Sequence, residues 1–121
     1  MTAEKQFYDW AQKAFRVTEA KINSDKTKSD AAQRIIEAAK EGRVKFGETT
    51  AEYALAYPVG EIKTVNFNTR LKAKTVLELQ GLSGTAQTYK FFEGTMSLPA
   101  AIVGELDLYD FTTLAGFFAF L

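Results

Sequence analysis

The chain has 121 residues, and its fifteen Lys and Arg balance fifteen Asp and Glu, so the formal net charge is zero. Its 46% hydrophobic and 25% charged residues are typical of a globular domain, and this length is sufficient for a single hydrophobic core. The balanced charge gives no general attraction to nucleic acid or anionic lipid. We therefore predict one domain over residues 1–121, with one subregion at 1–47 and a second at 48–121.

Two residue types that carry much of enzyme chemistry are missing. The chain contains no cysteine, which excludes disulfides, thiolate nucleophiles and Cys-ligated zinc. It contains no histidine, which removes the usual general base and the commonest metal ligand. Three acids lie together near a predicted helix start, Glu105, Asp107 and Asp110, and we interpret them as groups that complement the helix dipole. The sequence thus predicts a non-enzymatic protein without metal, cofactor or small-molecule substrate.

Neither end of the chain resembles a targeting or membrane segment. Met1–Lys5 leads into a mixed-charge stretch, so no signal peptide is expected. The apolar run after Asp110 is too short to cross a bilayer. We therefore expect a cytoplasmic protein without membrane contact.

Two helices are predicted in the N-terminal subregion. Apolar residues recur at three- and four-residue steps over Ala3–Ile22, as on one face of a helix. The polar stretch Asn23–Lys28 is typical of a linker. Ser29 or Asp30 then provides an N-cap for a second helix that ends near Gly42. The simplest interpretation is an antiparallel helical hairpin.

The following segment favours strands. Arg43–Phe46 alternates as a short strand or a loop would. Pro58–Glu61 has turn residues between two extended runs, Tyr53–Tyr57 and Ile62–Phe67, which favours a β-hairpin. The alternative is a short helix over Thr50–Ala56. We prefer the hairpin.

Helical periodicity returns after Arg70. One helix is expected to lead from Leu71 to Gly81, and a second begins after Ser83. Pro99–Gly104 forms a short helix with Pro at its start, and the last helix opens near Leu106. The predicted fold is α+β and predominantly α-helical, with an N-terminal helical hairpin, a small β-hairpin and three to four C-terminal helices.

Aromatic residues crowd the C-terminus of the chain. Of ten Phe, three lie in the last five residues, and the terminal helix is apolar around most of its circumference. Such a helix is either buried in its own core or covered by another chain, and the sequence leaves both alternatives open. For the second alternative, the candidate partner-binding residues are Tyr109, Leu114, Phe117, Phe118, Phe120 and Leu121.

The charges are distributed unevenly although they sum to zero. No Lys or Arg occurs from Phe91 to Leu121, whereas cations cluster between Lys63 and Lys74 with no acid before Glu78. These cations form an alternative site, that of a small nucleic-acid-binding or regulatory protein, and they are Lys63, Arg70, Lys72 and Lys74. No nucleic-acid-binding motif accompanies them, so nucleic acid is the less favoured partner.

A resemblance to a known family covers a little over half of the chain. Its residues are Leu55-Ala56-Tyr57-Pro58-Val59, Ile62 to Phe67, Thr69-Arg70 with Thr75 to Leu79, Ser97 to Val103, and Leu106 to Phe111 through Phe117-Phe118. In the order of these segments, and in a few residues at turns and helix starts, they resemble the tail assembly chaperones of tailed bacteriophages. The family pattern does not include the helical hairpin before Gly42, and it commonly has a Pro where Leu71 or Lys72 follows Arg70 here.

The resemblance implies a non-catalytic assembly role. It implies a helical protein client of the tape-measure type, a viral protein acting in the host cytoplasm, and self-association into an oligomer. It transfers no catalytic residues. A chaperone for a long amphipathic helix needs apolar surface that is shared between its client and its own copies.

Overall fold

The computed structural model describes residues 2–121 and confirms a mostly helical α+β fold. Seven α-helices and three strands occur among these residues: α1 (Ala3–Phe15), α2 (Glu19–Asn23), α3 (Lys26–Lys40), β1 (Val44–Phe46), β2 (Thr50–Val59), β3 (Ile62–Asn68), α4 (Ala73–Gln80), α5 (Gly84–Met96), α6 (Ala100–Val103) and α7 (Leu108–Gly116). A 3₁₀ turn, Phe117–Phe120, follows α7 directly.

The prediction of one helix over Ala3–Ile22 is wrong, because the chain breaks after Phe15. Arg16 adopts a left-handed conformation with φ 58°, and its N–H donates to a carbonyl of the preceding turn. Thr18 then caps α2 by accepting a hydrogen bond from the Lys21 N–H at 3.3 Å. The apolar periodicity continues across this break, which is why the sequence pattern alone indicates a single helix.

The third helix begins earlier than the predicted cap residues. Asp25 is the N-cap of α3, and its carboxylate accepts a hydrogen bond from the Lys28 N–H at 3.1 Å. That hydrogen bond lowers the pKa of Asp25. Ser29 and Asp30 therefore lie inside the helix, and the helical hairpin is in fact three helices with very short connections.

The three strands form an antiparallel sheet in the order β1-β2-β3. Tyr53 of β2 lies opposite Val44 of β1 on one side and Val65 of β3 on the other. The predicted hairpin is confirmed, since β2 and β3 are joined by a turn in which Gly60 has φ 58°. The alternative helix over Thr50–Ala56 is wrong. The β2–β3 register is irregular between Ala54 and Val59, and this irregularity positions the site described below.

A single hydrophobic cluster joins the two subregions of the chain. The C-terminal aromatic residues belong to it: Phe117 is fully buried and stacks on Phe67 with ring centroids 4.8 Å apart. Phe120 and Leu114 are buried as well. In a 3₁₀ turn, residues three apart eclipse each other, so Phe117 and Phe120 face the same side, the core.

No helix within residues 2–121 combines the length and the hydrophobicity that crossing a membrane requires.

Candidate partner-binding groove

The start of α7 is fixed by two carboxylates with different roles. Asp107 caps the helix by accepting a hydrogen bond from the Tyr109 N–H at 2.9 Å, as expected for an acid at a helix N-terminus. Asp110, in contrast, is fully buried and accepts hydrogen bonds from outside its helix. Both acids therefore lie where they complement the dipole of α7, but Asp110 is also buried, which the sequence did not indicate.

Asp110 binds the middle strand of the sheet. It accepts hydrogen bonds from the Tyr53 hydroxyl at 2.6 Å and from the backbone N–H groups of Ala56 at 3.0 Å and Tyr57 at 2.9 Å. Ala56 and Tyr57 lie where β2 extends past the end of β1 and where the β2–β3 register is irregular. The carboxylate thus supplies the acceptor that a neighbouring strand does not.

Arg43 extends this network to the surface. Its guanidinium donates hydrogen bonds to the hydroxyls of Tyr53 at 2.7 Å and Tyr109 at 2.6 Å, and lies 5.3 and 5.1 Å from their ring centroids. Burial opposes the charged form of Arg43, but hydrogen bonds to Glu41 and Tyr53 raise its pKa, so it stays protonated. Burial and the hydrogen bond to Asp110 raise the pKa of Tyr53. The hydrogen bond from Arg43 holds Tyr109 in place although 39% of Tyr109 is exposed.

A surface groove runs along the contact between α3 and α7. Its larger end, of about 580 Å³, is lined by Gln33, Arg34, Glu37, Leu108, Tyr109, Thr112 and Thr113. Its smaller end, of about 240 Å³, is lined by Thr27, Ala31, Arg34, Phe111, Thr112, Ala115, Gly116 and Ala119. Arg34 and Thr112 line both ends of this α3/α7 groove.

Small residues form the floor of the α3/α7 groove, and they let the two helices approach closely. A Cβ atom at Gly116 would lie 3.4 Å from the Cβ atom of Ala31. Thr27 and Glu37 at opposite ends of the α3 wall are ten residues apart, which corresponds to roughly 15 Å of helix.

The larger end of the groove opens beside exposed apolar surface. Leu108 is 76% exposed, the highest value among the large hydrophobic residues that the structure describes. With the partly exposed Tyr109 beside it, α7 begins with two large apolar side chains in solvent. Contiguous exposed apolar surface beside a groove is typical of a protein-binding site.

The structure separates the six candidate partner-binding residues. Tyr109 lines the α3/α7 groove. Burial removes Leu114, Phe117 and Phe120 from the candidates, because all three belong to the core of the monomer. Phe118 is partly buried and stacks on Phe91 at 5.0 Å. Leu121 is 45% exposed but does not line the groove.

Sequence reasoning missed the outer face of the terminal helix. Leu108, Thr112, Ala115 and Ala119 recur at steps of four, three and four residues, which is a helical stripe opposite the aromatic one. The partner-binding residues predicted from the sequence follow the large aromatic side chains, which lie on the buried face. No local pattern identifies α3 as the other wall of the groove, since α3 is distant in sequence.

The four candidate nucleic-acid-binding cations lie on three consecutive segments. Lys63 is in β3, Arg70 and Lys72 are in the connection to α4, and Lys74 is in the first turn of α4. All four side chains are exposed. Among residues 2–121 none of them forms an ion pair within 4.0 Å.

Neither the acidic residues nor known proteins identify a reaction. Within residues 2–121, no three Asp or Glu side chains are grouped so that they could hold a metal ion. Comparison of the chain with known protein families, with curated proteins and with solved structures finds no match.

Proposed function

We propose that the chain is a non-catalytic protein-interaction protein that holds a helical segment of a partner in the α3/α7 groove. The observation that carries this proposal is the α3/α7 groove, whose larger end lies at the exposed Leu108 and Tyr109. A partner that covered these two side chains would remove apolar surface from water, which favours association.

The shape of the groove favours a helix as the bound segment. About 15 Å of wall accommodates close to three helical turns. The small residues Ala31, Ala115 and Gly116 along the floor let the ridge of a third helix approach. Apolar anchors at positions i, i+3 or i+4 and i+7 of an amphipathic helix are spaced to enter such a groove.

The resemblance to phage tail assembly chaperones supports a more specific proposal. In that family the client is the long helical tape-measure protein, and a groove for an amphipathic helix fits such a client. We therefore propose tail assembly as the process and a tape-measure-type helix as the partner.

Co-expression tests this proposal. The chain and a fragment of a tape-measure protein are expected to elute together as a soluble complex that neither forms alone. Thr112→Lys places a long charged side chain in the centre of the groove and should abolish the complex. Gln12→Lys adds the same charge on the exposed face of α1 and should leave it intact. A fragment that remains insoluble, or a complex that Thr112→Lys does not weaken, would contradict the proposal.

A second candidate function follows from the four exposed cations after the second strand. Among residues 2–121, Lys63, Arg70, Lys72 and Lys74 have no neutralising acid within ion-pair distance, as phosphate-binding residues require. If they bind nucleic acid, affinity for a DNA duplex or an RNA strand should fall steeply with salt concentration. The absence of binding at low ionic strength would remove this candidate.

A further inference from the structure

Two exposed apolar patches of this chain carry opposite charge. The basic patch consists of Lys72, Lys74 and Leu77 at the start and outer side of α4. The acidic patch consists of Glu105, Asp107, Leu108 and the adjacent groove between α5 and the α6–α7 corner. Each patch exposes a large apolar side chain beside its charges. Each patch therefore has the charge and the apolar surface that a partner of the other patch needs.

The basic patch is prominent because α4 buries little of itself. Leu79 is its one buried residue, and the helical period places Lys74 and Leu77 on the opposite side. Leu77 is 67% exposed. The acid of this helix, Glu78, pairs with Lys90 of α5 at 3.1 Å and so is already engaged.

The acidic patch has a groove of about 680 Å³ beside it. No charged side chain lines this groove, and its residues are Gly84, Thr85, Gln87, Thr88, Tyr89, Val103, Gly104, Leu106, Leu108 and Phe111. Glu105 and Asp107 alternate with the lining residues Leu106 and Leu108 at the groove's edge. Neither acid forms an ion pair among the described residues.

We propose that α4 of one copy docks on the acidic patch of a second copy, with Leu77 entering the α5/α6–α7 groove. Lys72 and Lys74 then lie beside Glu105 and Asp107 of the neighbouring copy. Charge complementarity identifies the occupant, because the two exposed acids at the edge of this groove match the two cations that precede Leu77.

The contact is heterologous, since the two patches come from different parts of the chain. A pair of copies leaves one basic and one acidic patch free, so further copies add head to tail and form a ring or an open chain. The same copy does not satisfy both patches, because α4 is fastened to α5 by the Lys90–Glu78 pair and by the Gln87 side chain bound to the Leu79 carbonyl. This self-association needs no helical client, because neither Thr112 nor the α3 wall takes part, but Leu108 lies at the edge of both grooves.

Sedimentation velocity of the full chain without any partner tests the proposal. We expect the mean mass to rise with protein concentration and to fall as salt is added, because ions screen the contacts between exposed charges. Lys72→Glu with Lys74→Glu should weaken association by about a hundredfold or more, since it opposes like charges. Glu105→Lys with Asp107→Asn should do the same while Asn keeps the cap of α7. Lys13→Glu with Lys26→Glu is the matched control and should associate like the wild type.

Mixing distinguishes a specific contact from a general charge effect. The basic-patch and acidic-patch variants are each expected to remain monomeric, but an equimolar mixture should associate again, because each supplies the patch that the other lacks. Leu77→Asn keeps every charge and should also weaken association, which covers the case in which a charge variant fails to fold. A wild-type chain that stays monomeric at all concentrations overturns the proposal. A mixture that stays monomeric also overturns it. So does a DNA duplex that binds the basic patch and leaves association unchanged.

Discussion

The Tyr53 hydroxyl donates a 2.6 Å hydrogen bond to the carboxylate of Asp110, 57 residues further along the chain. Among residues 2–121, Asp110 is the only buried acid. Its three hydrogen bonds connect the sheet to α7, which in turn presents Leu108 and Tyr109 to solvent. The exposed end of the α3/α7 groove therefore depends on a buried polar contact.

Removing the carboxylate should be strongly destabilising. Asp110→Ala leaves the Tyr53 hydroxyl and two backbone N–H groups without an acceptor, at a cost of about 3 kcal/mol or more in the free energy of unfolding. Asp110→Asn keeps one acceptor oxygen but directs an NH₂ group at a backbone donor, so its loss should be smaller. Urea unfolding of the three proteins measures these values. Equal stability of Asp110→Ala and wild type would refute the role given to this network.

Stability should fall in alkali, partly through Tyr53. Because burial and Asp110 raise its pKa in the folded protein, the unfolded chain ionises first, at a pH of about 10. The stabilisation is therefore complete below that pH and is lost as the pH rises towards the folded-state pKa. Tyr53→Phe should be less stable at neutral pH by about 1–3 kcal/mol. It should also lose less stability than wild type between neutral pH and a pH of about 10.5. Parallel pH profiles of the two proteins would contradict this assignment.

Alanine substitutions at two C-terminal residues should have very different effects on stability. Phe117→Ala removes a fully buried ring that stacks on Phe67, so it should cost about 3–5 kcal/mol. Leu121→Ala removes a side chain that is 45% exposed and should change stability by no more than about 0.5 kcal/mol. Thermal or urea unfolding distinguishes them. If Phe117→Ala unfolded like wild type, the aromatic turn would belong to an interface instead of the core.

The break between α1 and α2 predicts a stabilising substitution. Arg16 has φ 58°, a conformation that costs a residue with a Cβ roughly 1 kcal/mol and costs glycine nothing. Arg16→Gly should therefore raise the free energy of unfolding by up to about 1 kcal/mol. Gln12→Gly, inside α1, should lower it by about as much. A loss of stability in Arg16→Gly would indicate that the Arg16 side chain contributes more than its backbone costs.

Because α3 and α7 are in close contact at the groove floor, a larger side chain there should destabilise the protein. Gly116→Leu places a large side chain against Ala31 and should separate α3 from α7, with a loss of about 1–3 kcal/mol in the free energy of unfolding. Client binding should weaken as well, because the groove is the seam between these helices. Chemical denaturation and co-elution measure the two effects, and unchanged values in both would contradict the described packing.

Local patterns in the sequence determined the class of fold and its punctuation. The hairpin follows from the Pro58 and Gly60 turn residues before a β-branched and aromatic run, and the helices follow from three- and four-residue apolar steps. The lack of His and Cys likewise restricts the chemistry that this chain can perform, whatever its fold. These inferences succeed because turn geometry and helical periodicity involve residues close together in the chain.

The roles of the C-terminal acids and aromatic residues depend on tertiary contacts. In the sequence Asp107 and Asp110 are equivalent acids at a helix start, yet one caps the helix in solvent and the other is buried against β2. The terminal helix is apolar on most sides, and the side that is buried is the one that meets α3 and the ring of Phe67 in β3. Burial is set by contacts between residues far apart in the chain, and no local periodicity encodes those contacts.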